Sequence, residues 1–237
     1  MTFLAKIKAS IPNTITCCNL IAGSIACILS FSAFETLSCS LTGLQWAYIF
    51  IGIAALMDFL DGAMARALKA YSPMGKELDS LCDLVSFGLA PSLLLFNVVQ
   101  HYAGPSLWAY CALFIAVIGA LRLARFNIDD RQTTSFIGLP IPANAIFWIG
   151  YTAWISIHGF PGVATVLIIM FLEALLMVSN IKIFSLKFKN FNWRENFRRY
   201  VIILAAILFV ITDGIPGLMW TIILYVLISA VARKNFE

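Results

Sequence analysis

Charged residues are scarce in this chain. Of its 237 residues, 16 are Lys or Arg and 12 are Asp or Glu, whereas 61% are apolar. The mean hydropathy of +0.91 excludes an ordinary soluble domain. Histidine occurs only twice, and the six cysteines show no CxxC spacing, so the sequence predicts no zinc-type site.

Long apolar runs fill most of the chain, and all but one are about as long as a helix that crosses a bilayer. The exception is 200–212, and the last two runs could also form one broken hairpin around residues 213–216. The runs predict an all-α, polytopic helical bundle of about eight transmembrane helices that form a single membrane domain over residues 1–237. The C-terminal helices, about 162–232, have a less certain role. The runs cover residues 14–34, 44–63, 80–100, 107–125, 141–157, 162–179, 200–212 and 215–232.

Basic residues fall on one side of this arrangement. The loops near 35–43, 101–106, 158–161 and 213–216 contain no Lys or Arg. This bias predicts a multi-pass protein of the cell membrane with both termini in the cytoplasm. The net charge of +4 therefore indicates topology and contact with anionic lipids, not nucleic acid. The segments predicted to lie inside hold all 16 cations: Lys6, Lys8, Arg66, Lys69, Lys76, Arg122, Arg125, Arg131, Lys182, Lys187, Lys189, Arg194, Arg198, Arg199, Arg233 and Lys234.

Four aspartates lie within 26 residues of this apolar chain: Asp58, Asp61, Asp79 and Asp83. On helices, each pair shares a face, because its members lie about 60° or about 40° apart. The short loop 67–77 brings the two faces to the same cytoplasmic edge. Four carboxylates at a membrane are costly and repel one another, which favours a divalent metal site that acts on phosphate. The alternative is a solvated acidic face paired with Arg66 and Lys76.

Small residues accompany the acids, among them Gly62 and Ala65. They favour a cavity for a ligand beside the metal, although small residues also allow close helix packing.

The spacing of these residues resembles the signature of the CDP-alcohol phosphotransferase family. The matching pattern is Asp58-x2-Asp61-Gly62-x2-Ala65-Arg66-x8-Gly75-x3-Asp79-x3-Asp83. Three further segments resemble the phosphatidylserine synthase branch of that family. They are Pro12-Asn13-x2-Thr16-x2-Asn19-Leu20-x2-Gly23, Arg122-Leu-Ala-Arg125-Phe126-Asn127 and Phe136-x-Gly138-Leu139-Pro140-x-Pro142.

The resemblance implies a reaction in which CDP-diacylglycerol and L-serine give phosphatidylserine and CMP. It implies one or two Mg²⁺ or Mn²⁺ ions held by all four aspartates, with Asp83 as the general base that accepts the serine hydroxyl proton. The residues that it assigns to CDP binding are Asn13, Thr16, Asp58, Asp61, Gly62, Ala65, Arg66, Gly75 and Asp79.

Serine also brings a carboxylate, for which arginine is the preferred partner. Arg122 and Arg125, three residues apart, are the candidates, with Asn127 beside them. The alternative is that both arginines only mark the cytoplasmic side.

The sequence leaves two alternative functions. Another member of the family, using glycerol 3-phosphate or an inositol phosphate as acceptor, is the alternative function, and a divalent-cation transporter is the alternative from a different class. We expect a homodimer.

Two further features lie in the C-terminal half of the chain. Glu173 is a functional candidate or a packing residue. Segment 182–199 is predicted to lie among lipid headgroups.

Overall fold

The computed structural model describes residues 3–128, 135–186 and 192–231. Five cations of the topology prediction, Arg131, Lys187, Lys189, Arg233 and Lys234, lie outside the described residues. The chain divides into two compact units, one ending at Leu123 and the other beginning at Ala124. Each unit is described by itself.

The first unit is helical. Its connections contain two short 3₁₀ helices, Ser30–Ser32 and Ser38–Ser40, and a third, Leu107–Leu113, precedes its last helix. That last helix, α5, begins in this unit and ends in the second. The helices are α1 (Phe3–Leu29), α2 (Gly43–Leu68), α3 (Pro73–Asp83), a π-helical segment (Leu84–Leu89), α4 (Ala90–Ala103) and α5 (Phe114–Ile128).

The second unit adds four helices and one small sheet. Its strands, β1 and β2, are antiparallel, and Phe136 pairs with Ile183. The elements are β1 (Ser135–Ile137), α6 (Ile141–His158), α7 (Val163–Val178), β2 (Lys182–Phe184), α8 (Trp193–Asp213) and α9 (Gly217–Val231). Within this unit the Tyr225 hydroxyl of α9 donates a hydrogen bond to the Phe184 carbonyl of β2.

Local signals set the ends of the helices that carry the acids. Thr42 begins α2 with a capping box, in which its hydroxyl accepts from the Gln45 amide and the Gln45 side chain accepts from the Thr42 amide. Lys69 ends α2 in the left-handed conformation, with φ of 50°. Ser72 then caps α3, accepting from the Gly75 amide at 3.0 Å. The α2–α3 connection is therefore short and ordered by caps at both ends.

Helix α1 packs against α2 and α3 through one face of small and polar side chains. Pro12, Thr16, Asn19, Ala22 and Ala26 are buried on it. A Cβ atom added to Gly23 would lie 2.1 Å from Oγ of Ser86 in the π-helical segment. The glycine therefore permits a helix contact that no larger residue would allow.

The structure is predominantly helical, in agreement with the prediction of a helical membrane protein. Four helical stretches are long and apolar enough to cross a membrane: 10–32, 43–68, 73–103 and 107–128. Val163–Val178 and Gly217–Val231 are shorter apolar helices. The count of eight spans and the position of the termini stay predictions, as does the single membrane domain.

Two details differ from the all-α expectation. Each strand of the β1–β2 pair has only three residues, too short to produce an alternating pattern in sequence. The apolar run 80–100 is not one regular α-helix: it starts within α3, continues through the π-helical segment and ends in α4. Hydropathy could not predict this, because it does not distinguish a 3.6-residue helical turn from a wider one.

Candidate active site

Three carboxylates from α2 and α3 converge. Asp58 and Asp61 lie on α2, and Asp79 lies on α3. One carboxylate oxygen from each residue lies within 4.8 Å of the other two. Three negative charges so close together repel strongly in a partly buried setting. Because hard divalent cations take oxygen ligands from carboxylates, these residues fit Mg²⁺ or Mn²⁺.

Asp83, one turn beyond Asp79, is not a member of this three-residue group. It lies at the end of α3, where the π-helical segment begins, and it is buried. Its Oδ1 accepts a hydrogen bond of 3.1 Å from Nδ2 of Asn19 on α1. The fourth acid therefore has a partner of its own and less contact with solvent than Asp58 or Asp79.

Helix α1 also holds one member of the three-residue group. The hydroxyl of Thr16 donates a 2.5 Å hydrogen bond to Oδ2 of Asp61. Both side chains are buried, so the bond is shielded from competing water. A hydrogen bond to a charged group is stronger than one between neutral groups. Thr16 therefore fixes the direction in which Asp61 presents its carboxylate.

A cavity of about 210 Å³ opens beside the acids, between α1 and the α2–α3 connection. Asp58 and Arg66 are the two residues of the predicted CDP-binding set that do not line it. The structure thus gathers most of that set around one space. The residues of the set that line the cavity are Asn13, Thr16, Asp61, Gly62, Ala65, Gly75 and Asp79.

The two glycines of the signature border this cavity in different ways. A Cβ atom on Gly75 would lie 3.0 Å from Oδ1 of Asn13 and 3.0 Å from Oγ of Ser72, so the backbone there already touches its neighbours. A Cβ atom on Gly62 would meet only Nη1 of Arg66, at 3.5 Å. Gly75 is thus tightly packed, while Gly62 leaves open space in the cavity.

Sequence reasoning missed several lining residues and one partner of the acids. The additional lining residues are Pro12, Ala70, Tyr71, Ser72 and Lys76. Most of them belong to the connection between α2 and α3, where no helical periodicity indicates direction. Asn19 was predicted only as part of the segment that resembles the phosphatidylserine synthase branch, and not as a partner of an acid, although it follows Thr16 at helical spacing and so shares a face with it.

The candidate serine-binding residues lie on α5. Arg122 is buried in the first unit, where its positive charge and the Asp83 carboxylate interact. Arg125 belongs to the second unit, and its guanidinium donates to the Val178 carbonyl at 3.1 Å and to Oδ1 of Asn180 at 2.8 Å. Asn127 is half-buried near the end of the helix.

The sequence did not decide the roles of Glu173 and of segment 182–199, both in the second unit. Glu173 is buried in α7. Segment 182–199, of which residues 187–191 lie outside the described residues, contains β2, where Ile183 and Phe184 are buried and Lys182 is exposed. Its position among lipid headgroups stays a prediction. Trp193 and Phe197 at the start of α8 are exposed, in agreement with an interfacial position.

Comparison with known proteins gives consistent results. Residues 9–182 match the CDP-alcohol phosphatidyltransferase family. A protein of Methanocaldococcus jannaschii is 37% identical over 163 residues, which cover 67% of this chain and 76% of that protein. A protein of Helicobacter pylori strain 26695 is 33% identical over 204 residues, which cover 84% and 81% of the two chains.

A third relative, from Bacillus subtilis, is 48% identical over 96 residues. That alignment covers 40% of this chain and about half, 54%, of the relative. All three relatives are named CDP-diacylglycerol–serine O-phosphatidyltransferase. The family match spans most of the chain and includes every acid of the site. The chain is therefore a member of the CDP-alcohol phosphatidyltransferase family.

Proposed function

We propose that this protein is a CDP-diacylglycerol–serine O-phosphatidyltransferase, which makes phosphatidylserine and CMP from CDP-diacylglycerol and L-serine. The observation that carries the proposal is the arrangement of the acids. Three carboxylates converge beside a cavity lined by the signature residues, and a fourth is held separately by Asn19. The names of the three relatives support serine as the acceptor.

The three converging carboxylates, of Asp58, Asp61 and Asp79, would hold one or two Mg²⁺ or Mn²⁺ ions. A bound ion supplies positive charge against the pyrophosphate of CDP-diacylglycerol and stabilises the CMP leaving group. The oxygen-only donor set supports these ions over zinc. Asp83 is assigned here to proton transfer, and its additional contact with metal stays a prediction.

The cavity would bind the CDP part of the lipid substrate. Asn13 and Thr16 of α1 form one wall, and Gly62 and Ala65 of α2 leave room for the nucleotide. Arg66 folds back over Gly62, where its charge would attract phosphate. Gly75 lets the backbone of α3 come close to the bound nucleotide, because it has no side chain.

Asp83 would act as the general base. It accepts the proton of the serine hydroxyl as the hydroxyl oxygen attacks the lipid-side phosphorus in line. A new P–O bond to serine forms, the bond from phosphorus to the CMP oxygen breaks, and CMP leaves with the electron pair. Asn19 donates to one oxygen of Asp83 and thus keeps the other available for the hydroxyl.

Arg122 would bind the serine carboxylate. It is the candidate arginine whose charge interacts with Asp83 inside the first unit, and a serine whose hydroxyl reaches Asp83 would therefore have its carboxylate near a guanidinium. Arg125 and Asn127 remain proposed contacts, but the hydrogen bonds of Arg125 to the end of α7 favour a structural role for it.

The membrane arrangement is part of the proposal. Eight spans, with both termini and the acids on the cytoplasmic side of the cell membrane, would give the site access to CDP-diacylglycerol in the inner leaflet and to dissolved serine. The one-sided distribution of Lys and Arg supports this topology. A homodimer and contact with anionic lipids complete the proposal.

A cation transporter is the less supported function. Transport requires acids along a path through the membrane, whereas here three of the four acids gather beside one cavity of about 210 Å³. Within the family, the acids do not determine the acceptor. Glycerol 3-phosphate or an inositol phosphate is therefore the alternative that the experiment must exclude.

The direct test is CMP release by the purified protein in detergent. CDP-diacylglycerol is supplied with L-serine, glycerol 3-phosphate or inositol 1-phosphate, each with Mg²⁺, with Mn²⁺ and with EDTA. We expect CMP and phosphatidylserine with serine only, and neither product in EDTA. Release of CMP with glycerol 3-phosphate but not with serine would assign the chain to another branch of the family.

A further inference from the structure

Asn19 presents a buried oxygen that its surroundings do not satisfy. The side chain is fully buried, and its Nδ2 donates to Oδ1 of Asp83 at 3.1 Å. Its Oδ1 is also buried and has no hydrogen-bond partner within the described residues. An unsatisfied acceptor of this kind is unfavourable and calls for an explanation.

The orientation of this amide follows from charge. An ionised carboxylate can only accept hydrogen bonds, so the NH₂ group of Asn19 must be the part that faces Asp83. Exchanging the two ends of the amide would place one oxygen against another and lose the bond. The Asn19 oxygen is therefore directed away from the Asp83 oxygen that its own nitrogen binds.

The backbone around Asn19 holds it in this place. The hydroxyl of Ser86 in the π-helical segment donates to the Asn19 carbonyl at 3.1 Å. One turn along α1, Gly23 lies in direct contact with Ser86. These two contacts fix the position of Asn19 on α1, so a donor to its side-chain oxygen has to enter the site as a water molecule or as part of a ligand.

The neighbouring groups indicate which donor fits. An acceptor alcohol that delivers its hydroxyl to Asp83 also comes next to the Asn19 amide, because the two side chains are hydrogen-bonded. Arg122, whose charge interacts with Asp83, attracts an anionic group of the same molecule. A carboxylate, a hydroxyl and a hydrogen-bond donor on one small molecule describe a hydroxy amino acid, whose donor is its ammonium group.

We propose that Asn19 is a specificity-determining residue, whose Oδ1 accepts a hydrogen bond from the ammonium group of the acceptor while its Nδ2 orients Asp83. This inference rests on the proposed transfer to serine. It adds a reason for the choice of an amino alcohol, because glycerol 3-phosphate and inositol phosphates have no ammonium group.

The test compares L-serine with 3-hydroxypropionate, which has the same hydroxyl and carboxylate but no ammonium group. The KM for serine and the inhibition constant of 3-hydroxypropionate in competition with serine are measured in the wild type. Competition gives the constant whether or not 3-hydroxypropionate is turned over. We expect the wild type to favour serine by about tenfold to a hundredfold, the range of one charge-assisted hydrogen bond.

Asn19→Leu and Asn19→Ala remove the amide. In both variants we expect the preference for serine to fall to less than about threefold, in addition to a lower kcat from the loss of orientation at Asp83. The ratio of the two constants is the decisive measurement, since loss of orientation affects both acceptors alike. Asn19→Ser, a smaller polar replacement, is measured if the other two variants do not purify as folded protein.

Asn97→Ala is the matched control. It removes an asparagine amide of α4 whose Nδ2 donates to Oγ of Ser30 and to the Leu93 carbonyl, so the preference for serine should stay within about twofold of the wild type. A wild type that binds both acceptors equally, or an Asn19 variant that keeps the full preference, would overturn the assignment. Either result leaves serine-dependent CMP release by the wild type intact, so it is distinguishable from failure of the proposed function.

Discussion

Thr16 of α1 donates its hydroxyl proton to Asp61 of α2 at 2.5 Å, across 45 residues of sequence. Asn19, one turn later, makes the equivalent contact with Asp83 of α3. The signature that identifies the family spans residues 58–83, yet the side chains that orient two of its acids come from a different helix. The first helix therefore contributes directly to the candidate site through these two hydrogen bonds.

The Thr16 hydroxyl should contribute to metal binding. Thr16→Val keeps the shape of the side chain but removes the donor to Asp61, at a cost of about 1.5–3 kcal/mol for a hydrogen bond to a charged group. We expect the Mg²⁺ or Mn²⁺ concentration for half-maximal activity to rise about tenfold or more. Thr14→Val is the control, because the exposed Thr14 hydroxyl only donates to the Ser10 carbonyl. Equal metal requirements in both variants would show that Thr16 does not position Asp61 for the ion.

Replacing the charge of Asp83 while keeping its size tests its assignment as the base. Asp83→Asn should abolish turnover but leave CDP-diacylglycerol binding partly intact, because Asp58, Asp61 and Asp79 are unchanged. The measurements are CMP release and binding of CDP-diacylglycerol by the purified variant. Glu77→Gln, an exposed acid on the same helix, is the control and should remain active. Near-normal turnover by Asp83→Asn at neutral pH would contradict the assignment.

The open space at Gly62 should be required for the nucleotide. Gly62→Leu would place an apolar side chain in the open space that the nucleotide is proposed to occupy. We expect a higher KM for CDP-diacylglycerol with an unchanged amount of folded protein, since leucine is favourable in a membrane helix. Gly52→Leu on the same helix is the control, because a Cβ atom at Gly52 has nothing within 4 Å. If Gly62→Leu binds substrate as the control does, the cavity does not hold the nucleotide.

The two arginines of α5 should behave differently. Arg122→Ala is expected to raise the KM for serine about tenfold to a hundredfold, the loss of one charge-assisted hydrogen bond, and to change the KM for CDP-diacylglycerol little. Arg122→Lys should rescue only part of the loss, because lysine lacks the planar fork.

Arg125→Ala serves as the comparison. It removes hydrogen bonds to Val178 and Asn180, so it should lower thermal stability more than serine affinity. Variants of both arginines that weaken the two substrates equally would show that neither residue binds serine.

The membrane topology can be tested with the chain's own cysteine. Cys39 is a free, exposed thiol in the connection between α1 and α2, which the distribution of cations places outside. A membrane-impermeant maleimide added to intact cells should label it. Lys69→Cys, made in a Cys39→Ser background, should react only after the cells are opened. Labelling of the introduced cysteine in intact cells would reverse the predicted orientation.

Much of the helical framework could be predicted because it depends on hydropathy and spacing. The two acids of each pair share a helix face because of their spacing alone. Residues 58–83 therefore indicate that the two pairs can meet when a short loop joins their helices. The resemblance of the signature extended this to a reaction. The direction of the two helices and the length of the loop between them were therefore enough to predict that the two acid pairs lie near each other.

Contacts between distant segments could not be predicted in the same way. No local rule pairs Thr16 with Asp61 or Asn19 with Asp83, since those bonds depend on how closely α1 approaches α2 and α3. The π-helical segment after Asp83 could not be predicted either, because no local pattern in Leu84–Leu89 distinguishes a wider helical turn from an α-helical one. The different surroundings of Arg122 and Arg125 could not be predicted either, because the sequence shows only two arginines three residues apart.

The division of the chain at Leu123 has a consequence for biosynthesis. The acids, Thr16, Asn19 and Arg122 all belong to the unit that leaves the ribosome first, and compact units of a chain generally fold in the order of their synthesis. The nascent chain can therefore assemble the acidic cluster in the bilayer while α6 to α9 are still being translated. Metal or lipid substrate present in the cell would meet this cluster before the polypeptide is finished, and its binding would stabilise the early helices against degradation.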